Sequence, residues 1–192
     1  MMTEGTGVRS PSPVKIQLST GDMSMLREAA ARLESARYGK RQDTWGKGLV
    51  SSPMFVGLCG EHACCVFLNR KLATNVQVDT VLRSHGDGGA DIVLMGLRIQ
   101  VKTRSVGKRN LIRRIDGEKR VRGLSVHAFV FAQLFESTRL VHLLGWCHAA
   151  DTRKNGRLSK SARGDWWNIE LEGKHLLPMN DLATEISTRG YS

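Results

Sequence analysis

The chain has 192 residues, with 29 Lys and Arg against 18 Asp and Glu, and a formal net charge of +11. At 41% hydrophobic it is globular rather than disordered, and long enough for one ordinary domain; no apolar run reaches the roughly 18 residues of a membrane span. This basic balance points to polyanionic partners, and nucleic acid comes before anionic lipid because no amphipathic basic helix stands out.

Residues 1–19 read as a flexible polar tail interrupted by Pro11 and Pro13, without the apolar segment of a signal peptide, and residues 20–192 as a single domain. Leu26, Ala29, Ala30, Leu33 and Ala36 recur at helical spacing, so a helix is predicted over Ser24 to Arg37 with Gly39 as its stop. Ser52 followed by Pro53 is a cap and a first-turn proline, opening a nearly all-apolar helix from Met54 to Leu68. Beyond Asn69 the period becomes two. Val76, Val78, Thr80 and Leu82 suggest a strand, and Ser84 to Gly89 a loop.

Asp91 to Met95 and Leu97 to Thr103 read as two strands joined at Met95-Gly96. Residues 110–122 contain Asp116-Gly117, the strongest short turn signal, and are predicted to form a second hairpin. His127 to Leu134 and Leu140 to Trp146 are further apolar strands; a basic loop over about 152–164, a strand Trp166 to Leu171 and a short helix from Asn180 to Ser187 complete the chain. This order predicts an α/β fold, a central mixed β-sheet flanked by helices. Cys59, Cys64, Cys65 and Cys147 are too few and too uneven for a disulfide framework, so they are expected to be buried thiols of a cytoplasmic, reducing environment.

The informative stretch is Gly88 to Thr103. With the turn at Met95-Gly96, Leu94 faces Leu97, Val93 faces Arg98, Ile92 faces Ile99 and Asp91 faces Gln100. Alternation then puts Ile92, Leu94, Leu97, Ile99 and Val101 on the core face, and Asp91, Gln100 and Lys102 on the other. Directly opposed side chains stand about 4.5–5.5 Å apart, close enough for a carboxylate and an amide oxygen to share one cation. Such hard ligands suit Mg²⁺ (or Mn²⁺), and a lysine on the same face can orient a water or offset charge on a phosphate.

At these residues the sequence resembles the PD-(D/E)XK nuclease superfamily. Asp91 matches the aspartate of one strand and Lys102 the lysine of the next. Gln100 replaces the usual middle acid, as in a QxK branch that includes intron homing endonucleases and phage relatives. Ile99 to Thr103, IQVKT, and Gly57 to Glu61, GLCGE, both look like that branch. The resemblance implies a restriction-endonuclease-like core. It implies a Mg²⁺-dependent endodeoxyribonuclease in which Asp91, Gln100 and Glu61 hold metal and Lys102 assists the attacking water. It extends over about residues 54–147.

The positive charge concentrates after Arg98. Arg104, and in a basic hairpin arm over about 105–123 Lys108, Arg109, Arg113, Arg114, Arg120 and Arg122, are expected to contact DNA, with Arg113 opposite Arg120. Arg153, Lys154 and Arg157 of the later loop are expected to touch phosphates. His85 is expected in solvent, His62 and His148 in structural roles, and one of Trp166 and Trp167 in the core. Cutting a duplex calls for two active sites, hence a homodimer or larger symmetric assembly. The alternatives are a non-catalytic DNA-binding protein on a degenerate nuclease scaffold, and an RNA-binding module, which lacks the usual aromatic strand motif.

Overall fold

A computed structural model describes residues 10–38, 52–80, 90–105, 111–113, 126–160 and 167–189. Among them a five-stranded mixed sheet carries helices on one face and a small second sheet on the other. The large sheet contains β1 (Val14–Gln17), β2 (Ile92–Leu94), β3 (Leu97–Ser105), β5 (Ala128–Phe135) and β6 (Leu140–His148), in the order β1-β6-β5-β3-β2. Only β3 and β5 run parallel; the other neighbours are antiparallel. The three-stranded sheet has the order β4 (Leu111–Arg113), β8 (Trp167–Glu170), β7 (Arg157–Lys160). The mixed α/β architecture expected from element order is present.

The helical layer consists of α1 (Thr20–Tyr38), α2 (Pro53–Leu72) and α3 (Met179–Arg189). Ser19 and Asp22 form a reciprocal cap: the Asp22 amide donates to Ser19 Oγ at 3.0 Å, and the Ser19 amide to Asp22 Oδ2 at 2.8 Å. This cap starts α1 four residues earlier than the apolar pattern suggested. Burial pushes the Asp22 carboxyl up, but the Ser19 hydrogen bonds and the nearby His62 outweigh it and hold the group below its ordinary value. His62 Nε2 lies 3.4 Å from Asp22 Oδ1, joining α2 to α1 in the structural role expected of it. The predicted cap of α2 is in place, with the Phe55 amide donating to Ser52 Oγ at 3.1 Å and Pro53 in the first turn.

Two expectations are corrected. The tail does not run to residue 19: Val14–Gln17 pairs with β6, and Ile16 and Leu18 are buried. Residues 73–80 are not a strand, because Asn69 takes the ladder's place. Its Oδ1 accepts from the Val76 amide at 2.7 Å and its Nδ2 donates to the Val76 carbonyl at 2.8 Å, satisfying that backbone locally.

The main core lies between helices and sheet, where Leu26, Leu68, Ile99, Leu143, Leu182 and Ile186 are fully enclosed. On the opposite face Phe129, Phe131 and Cys147 pack against Ile169, Leu171 and Leu176, which fix the small sheet in place. The four cysteines are all buried and free, as expected. Burial pushes the thiols of Cys59, Cys65 and Cys147 up to about 12, and that of Cys64 well above its ordinary value.

At pH 8 a disulfide-exchange reagent is expected to leave all four thiols of the native protein unreacted and to titrate all four in denaturant. Because the folded thiols hold their protons more tightly, this contribution to stability is present below the ordinary thiol value near 9 and is lost as pH rises from there toward 12. Rapid labelling of the native protein would contradict the burial.

Candidate active site

The β2–β3 hairpin turns at Met95 and Gly96, with φ of 47° and 73°, the left-handed pair of a type I′ turn. Its register is the expected one: Leu94 with Leu97, Val93 with Arg98, Ile92 with Ile99. The ladder breaks one residue before Asp91 would face Gln100. The Asp91 amide donates to the Ile99 carbonyl at 2.9 Å, so two consecutive residues oppose one, the arrangement of a β-bulge. The bulge re-aims the side chain, and Asp91 Oδ2 accepts from the Val101 amide at 2.7 Å. Asp91 thus sits along the edge of β3 beyond the end of β2, rather than opposed to Gln100 as simple alternation predicted.

Along β3 the alternation holds. Leu97, Ile99 and Val101 are buried toward the helices, while Gln100, Lys102 and Arg104 are half-buried on the other face beside Phe129, Phe131 and Gln133 of β5. Gln100 and Lys102 therefore share a face as expected. Glu61 comes from α2, on the helical side. Gly60 sets how closely α2 approaches β3 there. A Cβ on Gly60 would collide with Thr103 Oγ1 and stand 2.9 Å from Thr103 Cβ and Cγ2, so only glycine lets α2 approach β3 this closely. Gly57 lies one turn earlier; its carbonyl accepts from Thr103 Oγ1 at 3.4 Å, and a Cβ there would stand 3.8 Å from Glu61 Oε1. The GLCGE motif is thereby a packing device that folds the Glu61 carboxylate back over its own helix beside β3.

The electrostatics place the two acids in one neighbourhood. After burial and the Cys65 thiol, Asp91 and then Glu61 push the Cys64 thiol up; Cys65 is raised by burial first and then by Glu61 and Asp91. Carboxylates from two elements thus act on one pair of thiols under α2. Oxygen donors from Asp91, Glu61 and Gln100 suit a hard divalent cation such as Mg²⁺ in chemistry. Among the described residues no group of three or more His, Cys, Asp or Glu is placed to hold a metal ion.

The basic residues divide. Arg104 Nη2 donates to Gln133 Oε1 at 3.2 Å, and burial lowers the Arg104 guanidinium from its ordinary value. Arg113 belongs to β4, which among the described residues pairs with β8, with Arg113 aligned to Asn168; the rest of the expected hairpin lies outside the described residues. Lys108, Arg109, Arg114, Arg120, Arg122 and His85 lie outside the described residues, as does Trp166. Arg153 and Lys154 are exposed on a single helical turn, Thr152–Asn155, and Arg157 begins β7 rather than a loop, 3.3 Å from Glu170 Oε2. His148 packs edge-on against Trp146, in keeping with a structural role. Sequence reasoning missed Thr103, whose close contact with Gly60 was visible only as the last letter of IQVKT.

Comparison with protein-family models, with curated proteins and with solved structures gives no match. The resemblance to the nuclease superfamily rests on the two sequence motifs alone.

Gly60→Ala is expected to cost about 1–3 kcal/mol through overpacking against Thr103, and Thr103→Ala in the same chain to recover part of it. Urea denaturation of both single variants and the double variant measures the coupling; equal losses in Gly60→Ala with and without Thr103→Ala would place the cost elsewhere.

Proposed function

We propose that the protein is a divalent-metal-dependent DNA endonuclease on a restriction-endonuclease-like core. The observation that supports this reading is that Asp91, bonded to the Val101 amide, and Glu61 of α2, which packs on β3 through Gly60, flank on the helical side the strand that carries Gln100 and Lys102 on its other face. Asp91, Glu61 and Gln100 would hold Mg²⁺ (or Mn²⁺), which offsets phosphate charge and acidifies water when bound.

The chain's own groups supply the rest. The Val101 amide fixes one oxygen of Asp91, so the carboxylate is oriented before substrate arrives. Lys102 shares the β3 face of Gln100 and brings a positive charge to where an attacking water and a scissile phosphate would meet. The exposed cations Arg153 and Lys154 and the half-buried Arg104 would contribute phosphate contacts. Action on both strands of a duplex would take two copies of the chain.

A second reading, a non-catalytic DNA-binding protein on a degenerate nuclease scaffold, is favoured by Gln100 itself, which offers an oxygen without charge and so weakens metal binding. The two separate in one assay. With Mg²⁺ or Mn²⁺ and a panel of duplex, single-stranded, flap and four-way-junction DNAs, cleavage is expected, and Asp91→Ala and Lys102→Ala are expected to slow it about 10²–10³-fold. Gln100→Glu should lower the Mg²⁺ concentration at half-maximal rate. Undiminished cleavage in Asp91→Ala and Lys102→Ala would sink the site assignment. Salt-sensitive binding with no product under either ion would favour the second reading.

A further inference from the structure

The face of the large sheet turned away from the helices changes character along its length. At one level Phe129, Phe131 and Cys147 are covered by Ile169, Leu171 and Leu176 of the small-sheet layer. Two residues further along β5 the apolar cover gives way to a polar row that crosses four strands in register. Arg104 of β3 is aligned with Gln133 of β5, Gln133 with His142 of β6, and His142 with Lys15 of β1. Their neighbours Val101, Ala132, Val141 and Ile16 point into the helical core, so the four polar side chains share the opposite face.

We propose that this row, Lys15–His142–Gln133–Arg104, is a track for the phosphodiester backbone of a DNA strand. The inference rests on the nuclease reading above and extends it by naming where the bound strand runs. Three physical features carry it. First, the row is cationic at both ends and contains no carboxylate of its own. Second, neighbouring strands lie about 4.8 Å apart, so four strands span about 14 Å, enough to lie along a short run of consecutive backbone phosphates. Third, Arg104 is two residues beyond Lys102 on the same face of β3, about 7 Å away along the strand, so the row starts where the proposed active site ends.

The row is also incompletely satisfied. His142 Nε2 is buried and has no hydrogen-bond partner among the described residues, and the ring packs at 4.5 Å against that of Phe135. A buried polar atom without a partner is costly. The nitrogen is enclosed as the ring stands, so the imidazole must turn toward the open face for a phosphate oxygen to supply the acceptor it lacks. Burial, and next the charge of Lys15 opposite, lower the imidazole from its ordinary value. Lys15 is exposed, so it can be altered without disturbing the core.

The test is fluorescence polarisation with the full-length chain and a labelled 30-base-pair duplex, read over a range of salt concentrations, with cleavage followed in parallel under Mg²⁺. Lys15→Gln and His142→Gln are expected to weaken binding about three- to tenfold each, and Lys15→Gln to reduce the salt slope by about one phosphate contact. Arg32→Gln, an exposed cation on the helical side, is expected to bind like the unaltered protein, and thermal melts of all variants check that they are folded. Inorganic phosphate at matched ionic strength is expected to leave the duplex bound. Release by phosphate alone, unchanged affinity in folded Lys15→Gln and His142→Gln, or an equal loss in Arg32→Gln would overturn the track. If the unaltered protein cuts DNA while the row variants bind and cut as it does, the track falls alone. If the row variants weaken binding and no divalent ion yields a product, the nuclease reading falls and the track stands. No binding of duplex at all removes both.

Discussion

The close approach of α2 to β3 is the constraint on which the rest of the structure depends. Wherever a side chain separates a helix from a sheet, the two stand roughly 10 Å apart and only long residues reach across. At Gly60 that separation collapses, because Thr103 occupies the space a Cβ would need. The contact fixes the axial position of α2 against β3, and with it the level at which Glu61 projects. It also presses the buried run Leu58, Cys59, Ala63 and Cys64 onto Ile99 and Val101, so the core and the candidate site are set by one contact. A helix free to slide by a turn would keep its apolar burial and lose the placement of the carboxylate.

Much of this was legible in the sequence, wherever the deciding information is local. The Ser52-Pro53 cap, the turn at Met95-Gly96 and the register it sets, and the apolar strands β5 and β6 all follow from residues within a few positions of one another. The failures share a cause. β1 is four residues long between a proline-containing stretch and a helix, and its pairing with β6 is not encoded nearby. Val76 and Val78 alternate like a strand, yet the side chain of Asn69 took their backbone partners. β4 joins β8 across the chain that carries β5, β6 and β7, a choice no turn signal announces.

The candidate site shows the same division. That Gln100 and Lys102 share a face is simple periodicity, and the structure keeps it. That Asp91 stands out of register is not, because a bulge is a local departure from the period on which the reading relied. The cationic row was invisible for a related reason. Its four members come from four strands, and without the β1–β6 and β3–β5 registers no spacing in the chain connects Lys15 with Arg104.

The N-terminal strand carries a consequence for how the protein is made. Among the described residues β1 lies at the edge of the sheet and pairs with β6 alone, while the Gln17 side chain reaches over 121 residues to the Thr138 carbonyl. On a ribosome, the first strand to emerge therefore waits, unpaired, until most of the chain has been synthesised. Closing so long a loop costs entropy that no local contact returns. The earliest-made strand of the sheet is thus the last to be secured.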